Sequence, residues 1–495
     1  MIPGKKLYDY LVHNTPLATL VCKALASAYN NVFQVICEFI DNSVSNLMAH
    51  CDDPSLISAI HIKVRKDGDN VDIIIEDCGT GMENIDAAMT LCDTSHRETP
   101  LNMSGCGFKC AVAFIEAYKG IWECFTRTKK DLVQNRHLYF TAPYNFGHEV
   151  FHGEYRTDWV GDLDGTGTVI HLNIPMDVFE TLRRGNSEDK PTFQQLVNIF
   201  RENLRYTYSQ ILLDQDVIME LTVEDDSGSK AELLEGLVPI WTTKPIDMPV
   251  HKIDFGGGQV DIHCQYGTIQ ADPDNLFYYK ANMEGSGAEI AINGRVIAHG
   301  LMREIWNRRL HNSQNGFLVR VNLTASNVSA IPMTKAAKNG FREADPKLKK
   351  LFRWIRNYID LPPKENTTKE MRLKQKLKEK LDAQSELVNT RLDKVAFESI
   401  NAAVRVDVYE AWPNMLRIYE CKVTNHTSPL DLYQLRMYWD ACVKDGNPPD
   451  EAILIGNRHS EDVLHLAKYL NTLCGTDGRP YRFSLTTWKE QEISL

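Results

Sequence analysis

Three glycine- and carboxylate-bearing segments stand in a fixed order early in the chain: Glu38-Phe-Ile-Asp41-Asn42, Asp77-Cys-Gly79-Thr-Gly81 and Gly105-Cys-Gly107-Phe-Lys109. The first falls in an apolar-periodic stretch, Val32, Phe33, Val35, Ile36, Phe39 and Ile40. That spacing predicts a helix with Glu38, Asp41 and Asn42 clustered on its more polar face. The second follows a strand pattern, Val71-Asp-Ile-Ile-Ile75, and breaks it with two glycines at a turn. The third opens the apolar run Ala111-Val-Ala-Phe-Ile115, so its glycines sit where a loop becomes a helix and free N–H groups can meet an anion. A fourth element, Gly165-Thr-Gly167-Thr168-Val-Ile-His-Leu, opens another strand at Thr168. Each segment alone is a common turn or a solvated helix face; four in order, each on the expected element, are hard to assign to chance.

This order resembles the GHKL superfamily, the ATPases of type II topoisomerases, MutL, the ninety-kilodalton heat-shock chaperones, MORC proteins and histidine kinases. The resemblance implies an ATP site and a role for each matching position. Glu38 corresponds to the general base that activates water, and Asn42 to the Mg²⁺ ligand. Asp77 corresponds to the carboxylate that accepts from the adenine amino group, with Gly79, Gly81 and Met82 beside it. Gly105, Gly107, Phe108 and Lys109 correspond to the lid and its phosphate contacts, with Lys109 as a point charge. Thr168 braces the adenine pocket.

The 495 residues exceed a single core and divide into roughly three domains. Charged residues make up 24% and hydrophobic ones 43%, as in a soluble globular protein. No apolar run approaches a membrane span, and the first residues lack a signal-peptide core, so a cytoplasmic protein is expected. The 12 cysteines include no Cys-x-x-Cys pair, which argues for reduced thiols rather than disulfides or zinc. A net charge of −11 argues against uniform coating by nucleic acid, yet local basic stretches exist, such as Arg303 to Arg309 and Lys347 to Arg356.

From about 216 to 360 the pattern is strand-rich: Gln259 to Cys264, Ala288 to Ala298 around an Asn293-Gly294-Arg295 turn, and Phe317 to Leu323, closing with a helix near Leu348 to Ile359. This is similar to the transducer domain of the GHL branch, whereas the phosphoacceptor helix pair of histidine kinases has no room before Glu38. GHL transducers supply a lysine to the γ-phosphate; Lys338 fits the MORC pattern, with Lys335 as its rival. Residues 361–397 read as a helical connector, with Met371, Leu373, Leu377 and Leu381 spaced as one helical stripe.

The last hundred residues carry a second chemistry. Val404 to Tyr409 and Leu416 to Val423 alternate as strands, so Glu420 and Lys422 share a face that Asp407 on the neighbouring strand can join. Two carboxylates and a lysine can hold a divalent metal and activate water. The set resembles the PD-(D/E)xK nuclease superfamily: Asp407 and Glu420 match its metal ligands and Lys422 its catalytic lysine. Gln434 and Tyr438 resemble the Gln-x-x-x-Tyr helix motif of RecB-like members. The helix glutamate that often precedes the aspartate has Glu398 as its best candidate.

The expected fold is α/β multidomain: a GHKL α/β sandwich (1–215), an α+β transducer (216–360), the connector (361–397) and a restriction-endonuclease-like α/β domain (398–495). The resemblances imply an ATPase that dimerises on ATP and regulates a metal-dependent nuclease. They also imply ATP and Mg²⁺ as cofactors, with Mn²⁺ usable at the nuclease site. DNA is the expected partner, with RNA and a partner protein left open, and such a pairing suits antiviral defence. The alternative is a MORC- or chaperone-like clamp whose nuclease-like tail only binds.

Overall fold

In a computed structural model of the chain, the described residues are 26–83, 107–142, 153–162, 165–184, 190–307, 314–362, 369–385, 388–398 and 403–494, with 24, 85 and 101 singly. They form two compact units, one of residues 1–301 and 316–350, the other of 302–315 and 351–495.

In the first unit, Asn31 caps the helix α1 (Val32–Ala49) by accepting from the Gln34 N–H at 3.2 Å. Val32, Val35, Ile36, Phe39, Ile40, Val44 and Leu47 recur at helical spacing and are all buried. Fully burying each such side chain contributes about 1.5–3 kcal/mol, enough to hold the helix against the sheet. Strands β1 (Ala59–Asp67) and β2 (Asn70–Asp77) pair antiparallel across a turn at Gly68, with Ile60, Ile62, Val64, Val71, Ile73 and Ile75 buried. The helix α2 (Gly107–Ala117) packs against α1, Phe108 meeting Phe39 edge-on at 5.5 Å.

Six more strands complete this sheet: β3 (Ile121–Arg127), β4 (His137–Thr141), β5 (Glu154–Arg156), β6 (Gly167–Pro175), β7 (Ile218–Asp225) and β8 (Gly228–Leu233). The order is β5-β4-β3-β6-β2-β1-β7-β8. Because β7 lies parallel to β1, Ala59 opposite Ile218, the sheet runs to Leu233. A domain ending at residue 215 would omit its last two strands.

A second sheet in this unit holds β9 (Ile240–Trp241), β10 (Ile246–Asp247), β11 (His251–Asp254), β12 (Gln259–Gln270), β13 (Gly287–Ile292), β14 (Arg295–Ala298) and β15 (Phe317–Thr324). Asn293 and Gly294, at φ 46° and 83°, make the tight turn between β13 and β14. That turn fixes where Arg295 enters the core.

The second unit is built on β16 (Asn389–Glu398), β17 (Ala403–Trp412), β18 (Met415–Cys421), β19 (Glu451–Gly456) and β20 (Phe483–Thr487), in that order. Three helices pack on it: α3 (Lys369–Asp382), α4 (Pro429–Lys444) and α5 (Glu461–Leu470). Leu373, Leu377 and Leu381 of α3 bury with Val408, Tyr419, Cys421 and Ile455. Leu432, Leu435 and Trp439 of α4 bury with Ile418 and Leu454 instead. Residues 361–397 are therefore not simply a connector: the stripe on α3 covers the sheet, and 389–398 form its first strand. Glu398, expected on a helix, ends that strand. Among the described residues, no helix is long and apolar enough to cross a membrane.

Candidate functional site

The sheet register of the first unit sets Asp77 directly opposite Thr168, and Thr168 opposite Thr126, at one end of β2, β6 and β3. Asp77 is buried, and its Oδ1 accepts from the N–H groups of Gly79 (3.0 Å) and Thr168 (3.3 Å). Its Oδ2 accepts from the Ser43 hydroxyl of α1 at 2.7 Å. Burial pushes this carboxyl above its ordinary pKa, against the pull of those three donors. The Met82 N–H donates to Thr126 Oγ1 at 2.7 Å, and that oxygen lies 3.2 Å from Thr168 Oγ1. Gly81 adopts φ +73°, and a Cβ there would lie 2.5 Å from the Arg127 carbonyl, so only glycine fits.

Glu38 and Asp41 lie one turn away on the same helix. Glu38 is 2% exposed and Asp41 fully buried. Lys338, from the loop after β15, donates to Glu38 Oε2 at 2.9 Å and to Asp41 Oδ2 at 2.8 Å. Asp41 Oδ1 accepts from Arg295 Nε at 2.7 Å and from the Tyr208 hydroxyl at 2.8 Å. Arg295 Nη1 also donates to the Lys338 carbonyl at 3.1 Å, pinning the loop that carries the lysine. Two carboxylates and two cations are thus buried together, the arrangement that offsets the desolvation of each.

Burial raises the Glu38 pKa more than Lys338 lowers it. For Asp41 the balance reverses: burial opposes its charge, but Arg295 and Lys338 prevail and the pKa falls. Burial would lower the Lys338 ammonium, yet Asp41 and Glu38 together raise it. Glu38 Oε1 makes no hydrogen bond, so a proton acceptor stands uncommitted in the site. Gly107 opens α2 against this carboxylate; a Cβ there would fall 2.3 Å from Glu38 Oε2.

Of the positions expected to bind a nucleotide, Glu38, Asp77, Gly79, Gly81, Met82, Thr168, Gly107 and Lys338 thus line one region of the first unit. Asn42 is half-buried on α1, one residue past Asp41. Lys109 and Phe108 are buried in α2. Lys335 is exposed, and Lys338 is the lysine that reaches Glu38. Gly105 lies outside the described residues. Sequence reasoning gave no role to Arg295, Asp41 or Asn46. Asn46 Oδ1 accepts from the Thr80 N–H and its Nδ2 donates to Thr80 Oγ1, each at 2.9 Å, tying α1 to the Gly79–Gly81 turn. Its spacing of four from Asn42 was the available signal.

A second cluster lies in the other unit. The pairing of Val408 with Tyr419 brings Asp407 beside Glu420. Asp407 Oδ2 accepts from the Cys421 N–H at 2.8 Å. Glu420 is fully buried, with Lys422 as its cationic partner and the Tyr438 hydroxyl as a further hydrogen-bond donor. Lys422 Nζ forms an ion pair with Glu420 Oε1 at 2.5 Å and donates to Gln434 Oε1 at 3.3 Å. Gln434 in turn donates to the Tyr438 hydroxyl at 2.8 Å. Burial first, then the neighbouring Asp407, raises the Glu420 carboxyl to about 8. Two buried carboxylates side by side are the oxygen-donor chemistry that a divalent cation takes, though among the described residues no group of three or more His, Cys, Asp or Glu gathers at one point.

No protein-family model and no curated protein matches the chain. Among solved structures, it is similar to the N-terminal domain of a DNA repair protein, with 12% identity, a TM-score of 0.41, and coverage of 67% of this chain and 94% of that one. It is also similar to the B-subunit of the DNA gyrase from Myxococcus xanthus, with 9% identity, a TM-score of 0.36, and coverage of 65% and 87%.

Proposed function

We propose that the first unit is a GHL-type ATPase of the GHKL superfamily and the second a PD-(D/E)xK-type nuclease domain acting on DNA. One observation carries the first half: Lys338 donates to the carboxylate of Glu38 from a loop 300 residues later. A base and the lysine that serves the terminal phosphate would need to share one site, and these two residues do.

In this reading the adenine amino group donates to Asp77, and the backbone at the start of α2 receives the phosphates. Glu38 Oε1 takes the proton of the attacking water. Lys338 has Glu38 and Asp41 as its anionic partners without nucleotide and the terminal phosphate as a competing one with it. Asn42 would hold Mg²⁺, which neutralises charge on the phosphates. In the second unit, Asp407 and Glu420 would hold Mg²⁺ or Mn²⁺, which lowers the pKa of bound water, while Lys422 steadies developing charge. ATP-promoted dimerisation would couple the two activities.

A second reading, an ATP-driven clamp with a tail that binds without cutting, is favoured by one contact: Lys374 Nζ already sits 2.6 Å from Asp407 Oδ1.

The test is ATP binding and turnover in Glu38→Ala and Asp77→Asn, with plasmid cleavage followed in the same preparations. Glu38→Ala should bind ATP normally and lose about 10²–10⁴-fold in turnover, while Asp77→Asn should bind poorly. Wild-type turnover in Glu38→Ala would refute the assignment. Absence of cleavage by wild type with Mg²⁺ or Mn²⁺, with and without ATP, would leave the clamp.

A further inference from the structure

We propose that the carboxylate site of the second unit carries its own resident cation, Lys374, which a divalent metal must displace from Asp407. The inference rests on the metal-site reading above and adds a competitor to it.

Lys374 follows Leu373 on the buried face of α3, so the leucine stripe carries its aliphatic stem to the sheet, where the side chain is only 6% exposed. An ammonium at that depth costs several kcal/mol unless carboxylates surround it. They do: its Nζ lies 2.6 Å from Asp407 Oδ1, 2.9 Å from Glu370 Oε1 and 3.8 Å from Asp393 Oδ1. Three anionic oxygens around one cation make a coordination shell in outline. A metal on Asp407 would meet the Lys374 ammonium at Oδ1, while Oδ2 accepts from the Cys421 N–H and keeps a second lone pair. Lys374 and a metal therefore compete for one carboxylate, each cation repelled by the other.

The site still has reason to take a metal. Lys422, the other ammonium, faces both Glu420 and Asp431. Asp407, Glu370, Glu420 and Asp431 are thus four carboxylates met by two lysines, with Glu420 fully buried. Glu370 stands one helical turn before Lys374, half-exposed, and can keep the ammonium once Asp407 is released. The lysine has two seats, and only one of them blocks the metal.

The test measures Mn²⁺ binding to the nucleotide-free full chain by electron paramagnetic resonance, for wild type, Lys374→Met, Lys374→Arg and the double variant Lys374→Met/Glu420→Gln. Lys374→Met should bind Mn²⁺ at least ten-fold more tightly than wild type, Lys374→Arg should stay as weak as wild type, and the double variant should lose the gain. Thermal unfolding guards against a folding defect: Lys374→Met should melt below wild type in EDTA and recover with Mn²⁺. Should Lys374→Met not be isolable without metal, Lys374→Gln replaces it under the same criteria. Equal or weaker binding by the neutral variants would overturn the competition while leaving the metal site standing. No Mn²⁺ binding by any of the proteins would remove the metal site and this proposal together.

Discussion

Replacing Lys338 by methionine keeps the stem and removes the charge that Glu38 and Asp41 share. Arg295 remains on Asp41, so the loss falls on Glu38, which is only 2% exposed. The variant can leave that carboxylate charged and unpaired, or protonate it. Protonating a carboxyl of ordinary pKa 4.5 at pH 7 spans 2.5 pH units at about 1.4 kcal/mol each, so the cost is capped at about 3.5 kcal/mol. The cap is consistent with the roughly 3–5 kcal/mol typical of a broken buried pair. Burial already raises the wild-type carboxyl, and that rise subtracts from the cap.

The sign follows from linkage. In the variant the folded pKa of Glu38 is raised further, so its contribution to stability is complete below pH 4.5 and is lost as pH rises through the folded value. The deficit relative to wild type should therefore be below about 1 kcal/mol at pH 5 and grow to about 2–3 kcal/mol at pH 7.5. Hydrogen exchange of α1 amides under urea gives the opening free energy of this unit separately from the other. A deficit that is equal at both pH values would refute the energetic pairing of Lys338 with Glu38. Lys338→Met/Glu38→Gln should abolish the pH dependence.

Asn46→Ala removes both bonds to Thr80 and should cost about 1–3 kcal/mol while weakening ATP binding, read by thermal unfolding and nucleotide titration; unchanged affinity would detach Asn46 from the site. Glu420, with its folded pKa raised to about 8, contributes stability present below pH 4.5 and lost as pH rises towards 8. Glu420→Gln, measured in EDTA, should therefore gain melting temperature over wild type across that window and plateau above it; a pH-independent difference would argue against the shift.

What the sequence made legible was local. The helix around Glu38, the strand ending at Asp77 and the hairpin at Asn293 and Gly294 each announce themselves by periodicity or turn chemistry within a dozen residues. Both strand-borne carboxylates of the second unit were visible in the same way. The hidden residues are those whose meaning depends on a distant partner. Arg295 reads as the end of a turn until Asp41 stands 2.7 Å from it across 254 positions. Lys374 is one lysine in a run of lysines and glutamates, and only the packing of Leu373, Leu377 and Leu381 shows that it points inward. Nor does any local signal after residue 215 mark that the next strand pairs with β1.

That long return of β7 sets a timetable for synthesis. β1 ends at Asp67 and its parallel neighbour begins at Ile218, so roughly 150 residues must leave the ribosome after β1 before that side is paired. At about 5–20 residues per second this is on the order of ten to thirty seconds. Throughout that interval the nascent chain carries an open strand bearing Ile60, Ile62 and Val64, ready to join any other edge it meets. Fragments truncated before Ile218 would keep that edge permanently, so recombinant pieces of the first unit need to extend through Leu233 to stay monodisperse.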